Sequence, residues 1–309
     1  MAGPFTHMLL CQCAADPAEA TRLGLPQLPG QLYTLFNNQD SFLCLGAVTP
    51  DLPAVSDVLW KEQWSDAMHS GHLRQLVVQV FDELVANNAS DASLAWVFGY
   101  VGHIVADVGI HPVVGLANAA RGGNAHRECE IVQDTRLYRE KTGGDLIHSP
   151  CLDGVKGCRK DPQAIAEIMT AWATCLKKVD PAFDGSCIEW YGVYLSGIHG
   201  AVTLIPQKVP PPLVPTAHKY LANYAYQSEK DIDAKDNADF YDGIVLPLPG
   251  APRGTFLYDA CDRVLQHLIP LWNSMWQAKQ TKTSLAGLIP DWNLNTGMDS
   301  TTGKLAFWP

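Results

Sequence analysis

Apolar side chains recur three or four residues apart in "HLRQLVVQVFDELVANN" (72–88), "DPQAIAEIMTAWATCLKKV" (161–179) and "TFLYDACDRVLQHLIPLWNSMWQAKQ" (255–280). That spacing gathers them on one stripe of an α-helix, so each segment is predicted to be an amphipathic helix. Asp161 followed by Pro162 supplies a cap and then a proline at the first helical position. A further apolar stretch runs through residues 94–114, and either Asp91 before Ala92 or Ser93 before Leu94 can open it as a helix. Breakers cluster at 24–30, 141–158, 205–215 and 246–253, which read as loops. "SEKDIDAKDNADFYDG" (228–243) is charged and weakly apolar and reads as a solvated loop or lid. There is no internal repeat. The pattern predicts an all-α chain, with the proline-rich segment near 210 as the place where one region passes to the next.

Composition narrows this little for fold and more for partners. With 309 residues, 47% of them hydrophobic, the chain can bury the core of one large domain or two small ones. Its net charge is −10 and it has no cluster of Lys and Arg, which argues against a duplex nucleic acid partner. The N-terminus "MAGPFTHMLL" lacks the basic start and long apolar core of a secretory signal, and no run of about 18 apolar residues stands out as a bilayer span. The expectation is a cytoplasmic chain with no transmembrane segment, export by a non-classical route being the alternative. Nine cysteines stand at irregular positions without CxxC spacing, as reduced thiols do. A Cys151–Cys158 disulfide is conceivable only for an exported chain.

The chemistry begins in "YVGHIVADVGIHPVV" (100–114), where His103, Asp107 and His111 interrupt an apolar stretch at intervals of four. On a helix all three lie along one face. "NAHRECEIVQD" (124–134) repeats the interval with His126 and Glu130, Asp134 stands one turn further, and the Gly122-Gly123 turn lets this second helix fold back on the first. Any one of these histidines is as readily a hydrogen-bonded core residue. Five ligand-type side chains on two consecutive segments are harder to explain that way. A buried aspartate without a positive partner costs several kcal/mol, and zinc favours imidazole nitrogen together with carboxylate oxygen.

"GYVGHIVADVGIHP" (99–112) followed by "AHRECE" (125–130) resembles the core of the zinc-dependent phospholipase C family, which includes bacterial phosphatidylcholine-preferring phospholipases C and the catalytic domain of glycosylphosphatidylinositol-specific phospholipase D. Fungal single-strand nucleases share the trinuclear arrangement. "FTHMLL" (5–10) is similar to the family's early [ST]H before an apolar helix, and "LCLGAVTPDLP" (43–53) to its G-x-x-x-PD segment. The resemblance covers about the first 140 residues in the right order.

It implies a multi-helix bundle of the phospholipase C and single-strand nuclease type, with two or three zinc ions as cofactors. His103 and Asp107 would serve a close metal pair, Asp107 bridging, with His7 on one member. Asp51 would bind near the other and act as general base or orient the attacking water. His111, His126 and Glu130 would hold the remaining zinc. One more histidine is needed, and "MHSGH" offers His69 or His72; His69 is preferred because His72 lies closer to the start of the next amphipathic helix. In secreted members the N-terminal residue exposed by signal cleavage completes one site. Here Ala2, five positions before His7, would take that part once Met1 is removed.

The implied reaction is phosphodiester hydrolysis, with a phospholipid as substrate and peripheral contact with a membrane surface. Two alternatives are a zinc phosphoesterase acting on soluble phosphodiesters or nucleotides, and a metal-stabilised binding module without turnover. Trp190, Tyr191 and Tyr194 in "IEWYGVYLSGIHG" (188–200) either line an approach for lipid or pack in the core. His148, His199, His218 and His267 have no ligand-type partner at matching spacing and are left outside the site. Residues 1–160 are read as the metal-binding catalytic core and 161–309 as a helical extension that completes the domain or shapes the pocket.

Overall fold

A computed structural model describes residues 3–54, 64–70, 73–122, 125–148, 151–199, 226, 228–243 and 255–308. The described residues of the first half form helices: α1 (Pro4–Ala14), α2 (Pro17–Arg22), α3 (Gly30–Asn38), α4 (Asp40–Val48), a single tight turn Thr49–Asp51, α5 (Trp64–His69), α6 (Leu73–Ala86), α7 (Asp91–Arg121) and α8 (Ala125–Thr142), with short connections between them. There follow α9 (Cys151–Gly157), α10 (Pro162–Val179), α11 (Cys187–His199), the one-turn α12 (Ala234–Asn237) and α13 (Asp262–Thr281). The chain closes on three two-residue antiparallel strands in the order β1 (Trp292–Asn293), β2 (Met298–Asp299), β3 (Lys304–Leu305). Trp292 pairs with Asp299 and Met298 with Leu305. Among the described residues the fold is all-α apart from this small sheet.

Every residue of α7 from Ala92 to Val114 is buried, so the other helices are arranged around it. Ser90 is its cap, accepting from Ser93 N at 3.3 Å, one residue before Asp91 and three before Ser93, the two starts read from the sequence. By length and composition α7 does meet the requirement for a bilayer span, which corrects the expectation that no such segment exists. Its apolar window is wholly buried by neighbouring helices, the setting of a core helix.

α4 crosses α7 at backbone contact. A Cβ on Gly46 would lie 1.9 Å from Trp96 O, and one on Gly99 would lie 2.0 Å from Leu43 O. Side chains at either glycine would push the axes apart, since axial separation follows the side chains at the crossing. Trp96 Nε1 donates to Thr49 Oγ1 at 2.7 Å and holds the end of α4 in that register. On the other side Trp272 of α13 is fully buried and donates to Phe98 O at 3.1 Å. Burying an indole of this size removes roughly 200 Å² from water and contributes about 5 kcal/mol before ordering costs.

Pro112 lies inside α7 and cannot donate to Val108 O. The C-terminal segment packs against this turn. Gly297, at φ +68°, is so close that a Cβ there would stand 2.6 Å from Val108 O, and Trp308 Nε1 donates to Gly109 O at 2.8 Å. Leu294 N donates to His69 O at 3.0 Å, which ties the same segment to α5.

Asp161 caps α10, accepting from Ala164 N at 3.0 Å, with Pro162 at the first helical position as expected. Two stretches read as loops are helical instead. Within 141–158 the glycine-rich chain forms α9, and Cys158 keeps a free thiol that donates to Ser41 O, so it is not in a disulfide with Cys151. Residues 228–243 form α12 and a wider helical turn, with Phe240 and Tyr241 buried. Some of the charges that suggested a solvated lid are paired with the rest of the chain: Arg121 with Asp236 at 2.5 Å and Asp239 at 3.6 Å, and Arg136 with Glu229. The breaker segments 205–215 and 246–253, the boundary near 210 included, lie outside the described residues.

Candidate metal centre

Four imidazoles point their Nε2 atoms at one carboxylate. Asp107 Oδ1 lies 3.3 Å from His7 and 3.4 Å from His111, and Oδ2 lies 3.2 Å from His103 and 3.5 Å from His69. The four-residue spacing on α7 supplies His103, Asp107 and His111, α1 supplies His7, and the last residue of α5 supplies His69. Asp51 closes the group from the turn after α4, its Oδ1 3.2 Å from His69 Nε2 and 3.9 Å from His103 Nε2. All six side chains are buried.

Two backbone carbonyls fix the tautomers. His103 Nδ1 lies 2.9 Å from Ala47 O, a contact made possible by the glycine crossing of α4 and α7, and His69 Nδ1 lies 2.7 Å from Ser65 O. A carbonyl only accepts, so each Nδ1 carries the proton and each Nε2 offers a lone pair to the site. These two Nε2 atoms are 3.4 Å apart, while the rings of His7 and His103 stack with centroids 3.8 Å apart. Facing lone pairs call for a positive charge between them.

The polar atoms left over test whether a cation fits. Among the described residues, both nitrogens of His7, both of His111 and Asp51 Oδ1 are buried without a hydrogen-bond partner. Each such atom costs about 1–3 kcal/mol unless something outside the chain satisfies it. Two triads, His7–Asp51–His103 and His69–His103–Asp107, each keep their ligand atoms within 4.8 Å of one another, and they share His103. Imidazole nitrogen and carboxylate oxygen in that spacing form a donor set suited to zinc.

Burial pushes the Asp107 carboxyl up, but His111, His103 and His7 draw it well below the usual carboxylate range. At Asp51 burial is likewise outweighed by His103 and His69, and its carboxyl is lowered. Burial drives His111 down from 6.5 to about 3, so its imidazole is neutral and able to ligate near neutral pH.

The second helix adds an outer group. His126 Nε2 lies 2.9 Å from Glu130 Oε1, and Arg127 Nη1 donates to Glu130 Oε2 at 2.9 Å. Gly122, at φ +67°, ends α7 and turns the chain back, and His126 N donates to Asn118 Oδ1 at 3.3 Å. The ring of His126 thereby comes to 5.8 Å from that of His111, while its side chain stays 43% exposed. Against burial, the positive groups around Glu130, His126 and Arg127 among them, hold its carboxyl far below its ordinary range.

His7, Asp51, His69, His103, Asp107 and His111 thus converge, with His126 and Glu130 beside His111. His72, His218 and Ala2 lie outside the described residues. Three other histidines sit elsewhere: His148 is exposed, His199 faces Lys156 at 3.3 Å, and His267 stacks on Phe307 at 3.8 Å. Trp190, Tyr191 and Tyr194 are buried rather than lining a lipid approach; Trp190 packs on Trp172 and Phe183, and Tyr191 Oη donates to Val155 O. A groove of about 1140 Å³ between α10 and α11 is lined by none of the clustered residues.

Sequence reasoning gave Asp134 no task, and it omitted Arg127 and Tyr226 altogether. Asp134 accepts from Thr6 N at 2.7 Å, Phe5 N at 3.3 Å and Tyr226 Oη at 2.6 Å, so it caps the helix that bears His7. Its four-residue step from Glu130 was a visible signal. Tyr226 follows α8 by a long stretch of chain and gave none.

A family model described as zinc dependent phospholipase C matches residues 6–201, more than half of the chain. No curated protein and no solved structure matches.

Proposed function

The chain belongs to the zinc-dependent phospholipase C family, and from that premise and the geometry around Asp107 we propose that it hydrolyses phospholipid phosphodiesters with water as the nucleophile. The observation that carries this is the convergence of four Nε2 atoms on Asp107 beside an unsatisfied Asp51 Oδ1. His7, His69, His103 and Asp107, with Asp51, would hold a zinc pair, and His111, His126 and Glu130 a third ion. Bound zinc supplies Lewis-acid charge for the phosphate oxygens and lowers the pKa of water toward neutrality.

The remaining work falls to the chain. The Asp51 carboxyl is lowered and so ionised, and its Oδ1, which makes no hydrogen bond among the described residues, can accept the proton of the attacking water. The new bond joins water oxygen to phosphorus. The bond from phosphorus to the diacylglycerol oxygen breaks, and that oxygen takes up a proton as the phosphorylated headgroup leaves. Ala47 O and Ser65 O keep His103 and His69 in the ligating tautomer throughout. A phospholipid substrate also implies peripheral contact with a bilayer surface.

The test is product analysis of the zinc-loaded protein on a panel of phospholipids and soluble phosphodiesters. The expected result is diacylglycerol together with phosphorylated headgroup, reduced roughly 10²–10⁴-fold in Asp51→Asn. Turnover of soluble phosphodiesters alone would overturn the lipid assignment, and no turnover of either class would overturn the proposal as a whole.

A further inference from the structure

The outer group is joined to the N-terminal helix by a continuous polar chain. Glu130 Oε2 accepts from Arg127 Nη1 at 2.9 Å, and Arg127 Nη2 reaches Tyr226 Oη at 3.5 Å with its guanidinium 5.4 Å from the ring centroid. Tyr226 Oη donates to Asp134 Oδ2 at 2.6 Å, and the same carboxylate receives Phe5 N at 3.3 Å and Thr6 N at 2.7 Å. Tyr226 and Asp134 are fully buried, and the Tyr226 ring meets Phe5 edge-on at 5.3 Å.

Each link has a physical reason. Gly3 gives α1 no side-chain cap, so its first amides need an acceptor from elsewhere, and a carboxylate there also complements the positive end of the helix. Only glycine at position 3 admits that carboxylate, because a Cβ would stand 2.2 Å from Asp134 Oδ2. Both Asp134 oxygens are occupied by these donors, which removes Asp134 from the pool of metal ligands. Arg127 in turn fixes the direction of the Glu130 carboxylate.

We propose that Arg127, Tyr226 and Asp134 are positioning residues that lock the His111–His126–Glu130 group against the helix bearing His7, and so set the affinity of the third zinc. This rests on the zinc reading above. Groups that orient metal ligands typically change affinity 10–100-fold when removed. Two histidines of the central zinc pair, His103 and His69, are held instead by Ala47 O and Ser65 O, so that pair meets this chain of contacts only through His7.

The probe is zinc alone, titrated into the full-length metal-free protein in competition with a chromogenic chelator, with elemental analysis of the loaded product. Tyr226→Phe removes one oxygen and keeps the ring against Phe5, so the fold is retained. Its metal-free thermal midpoint should stay within a few degrees of wild type. The expected result is three zinc ions for wild type, and for Tyr226→Phe one of them weakened about 10–100-fold with the other two unchanged. Asp134→Asn should weaken the same ion. Tyr191→Phe, which loses a hydroxyl contact remote from the site, should titrate as wild type. Wild-type titration of both Tyr226→Phe and Asp134→Asn would overturn the inference, as would only two zinc ions in wild type. No zinc in any protein would instead overturn the zinc reading on which it rests.

Discussion

The six-residue cluster around Asp107 and the His126–Glu130 pair are built from the same kinds of side chain and differ in how their charge is balanced. In the cluster, two carboxylates face four imidazoles in a fully buried setting, and among the described residues several of the nitrogens have no hydrogen-bond partner. In the outer pair Glu130 already has Arg127 at 2.9 Å, and His126 is 43% exposed. A buried carboxylate without a positive partner is costly, whereas one paired with a guanidinium is largely compensated. The inner cluster therefore needs a cation from outside the chain, and the outer pair gains from one without needing it. That difference orders the expected consequences of disturbing either region.

The largest effect is expected from Asp107→Asn. The amide offers one side an N–H where a lone pair is required and deletes the charge shared by four histidines, so zinc content should drop and turnover fall by 10²–10³-fold or more. Elemental analysis and product release measure both. Full zinc content in this variant would mean that Asp107 is a structural aspartate.

Acidification of the metal-free protein should have an intermediate effect. His111 is held neutral in the fold by a pKa near 3, while in the unfolded chain it protonates below about 6.5. Protons therefore bind preferentially to the unfolded state as pH falls from 6.5 toward 3, and stability is lost across that window and complete above it. Thermal denaturation of the chelated protein at neutral and acid pH checks the sign. A stability that rose on acidification would contradict the burial of a neutral His111.

The smallest effect is expected from His126→Ala. Its ring is half in solvent, and its loss should weaken one zinc at least as much as Tyr226→Phe does, about 10-fold or more, while leaving the thermal midpoint of the metal-free chain almost unchanged. A collapse of stability in this variant would erase the distinction between the two regions.

Much of the inner cluster could be read in the sequence because it is set by helical geometry. Intervals of four place His103, Asp107 and His111 on one face whatever the rest of the fold does, and the Asp161-Pro162 start of α10 is equally local. What escaped is set by distant contacts. Charge and glycine made 228–243 and 141–158 look like loops, but ion pairs to Arg121 and Arg136 and the burial of Phe240 and Tyr241 outweigh those local preferences. The acceptors that choose the histidine tautomers are backbone carbonyls, which leave no mark on the side-chain pattern. The part played by the C-terminus was hidden for a similar reason: Gly297 and Trp308 pack on α7 around Pro112, and only the folded chain brings them together.

The central claim is that the cluster around Asp107 is a zinc site, and the most direct test is the zinc content of the purified full-length protein after reconstitution and removal of free metal. Two or three zinc ions per chain are predicted, retained against dilution and removed by a strong chelator with a fall in thermal midpoint. A protein that binds no zinc under those conditions, and whose midpoint is indifferent to the chelator, would contradict the account.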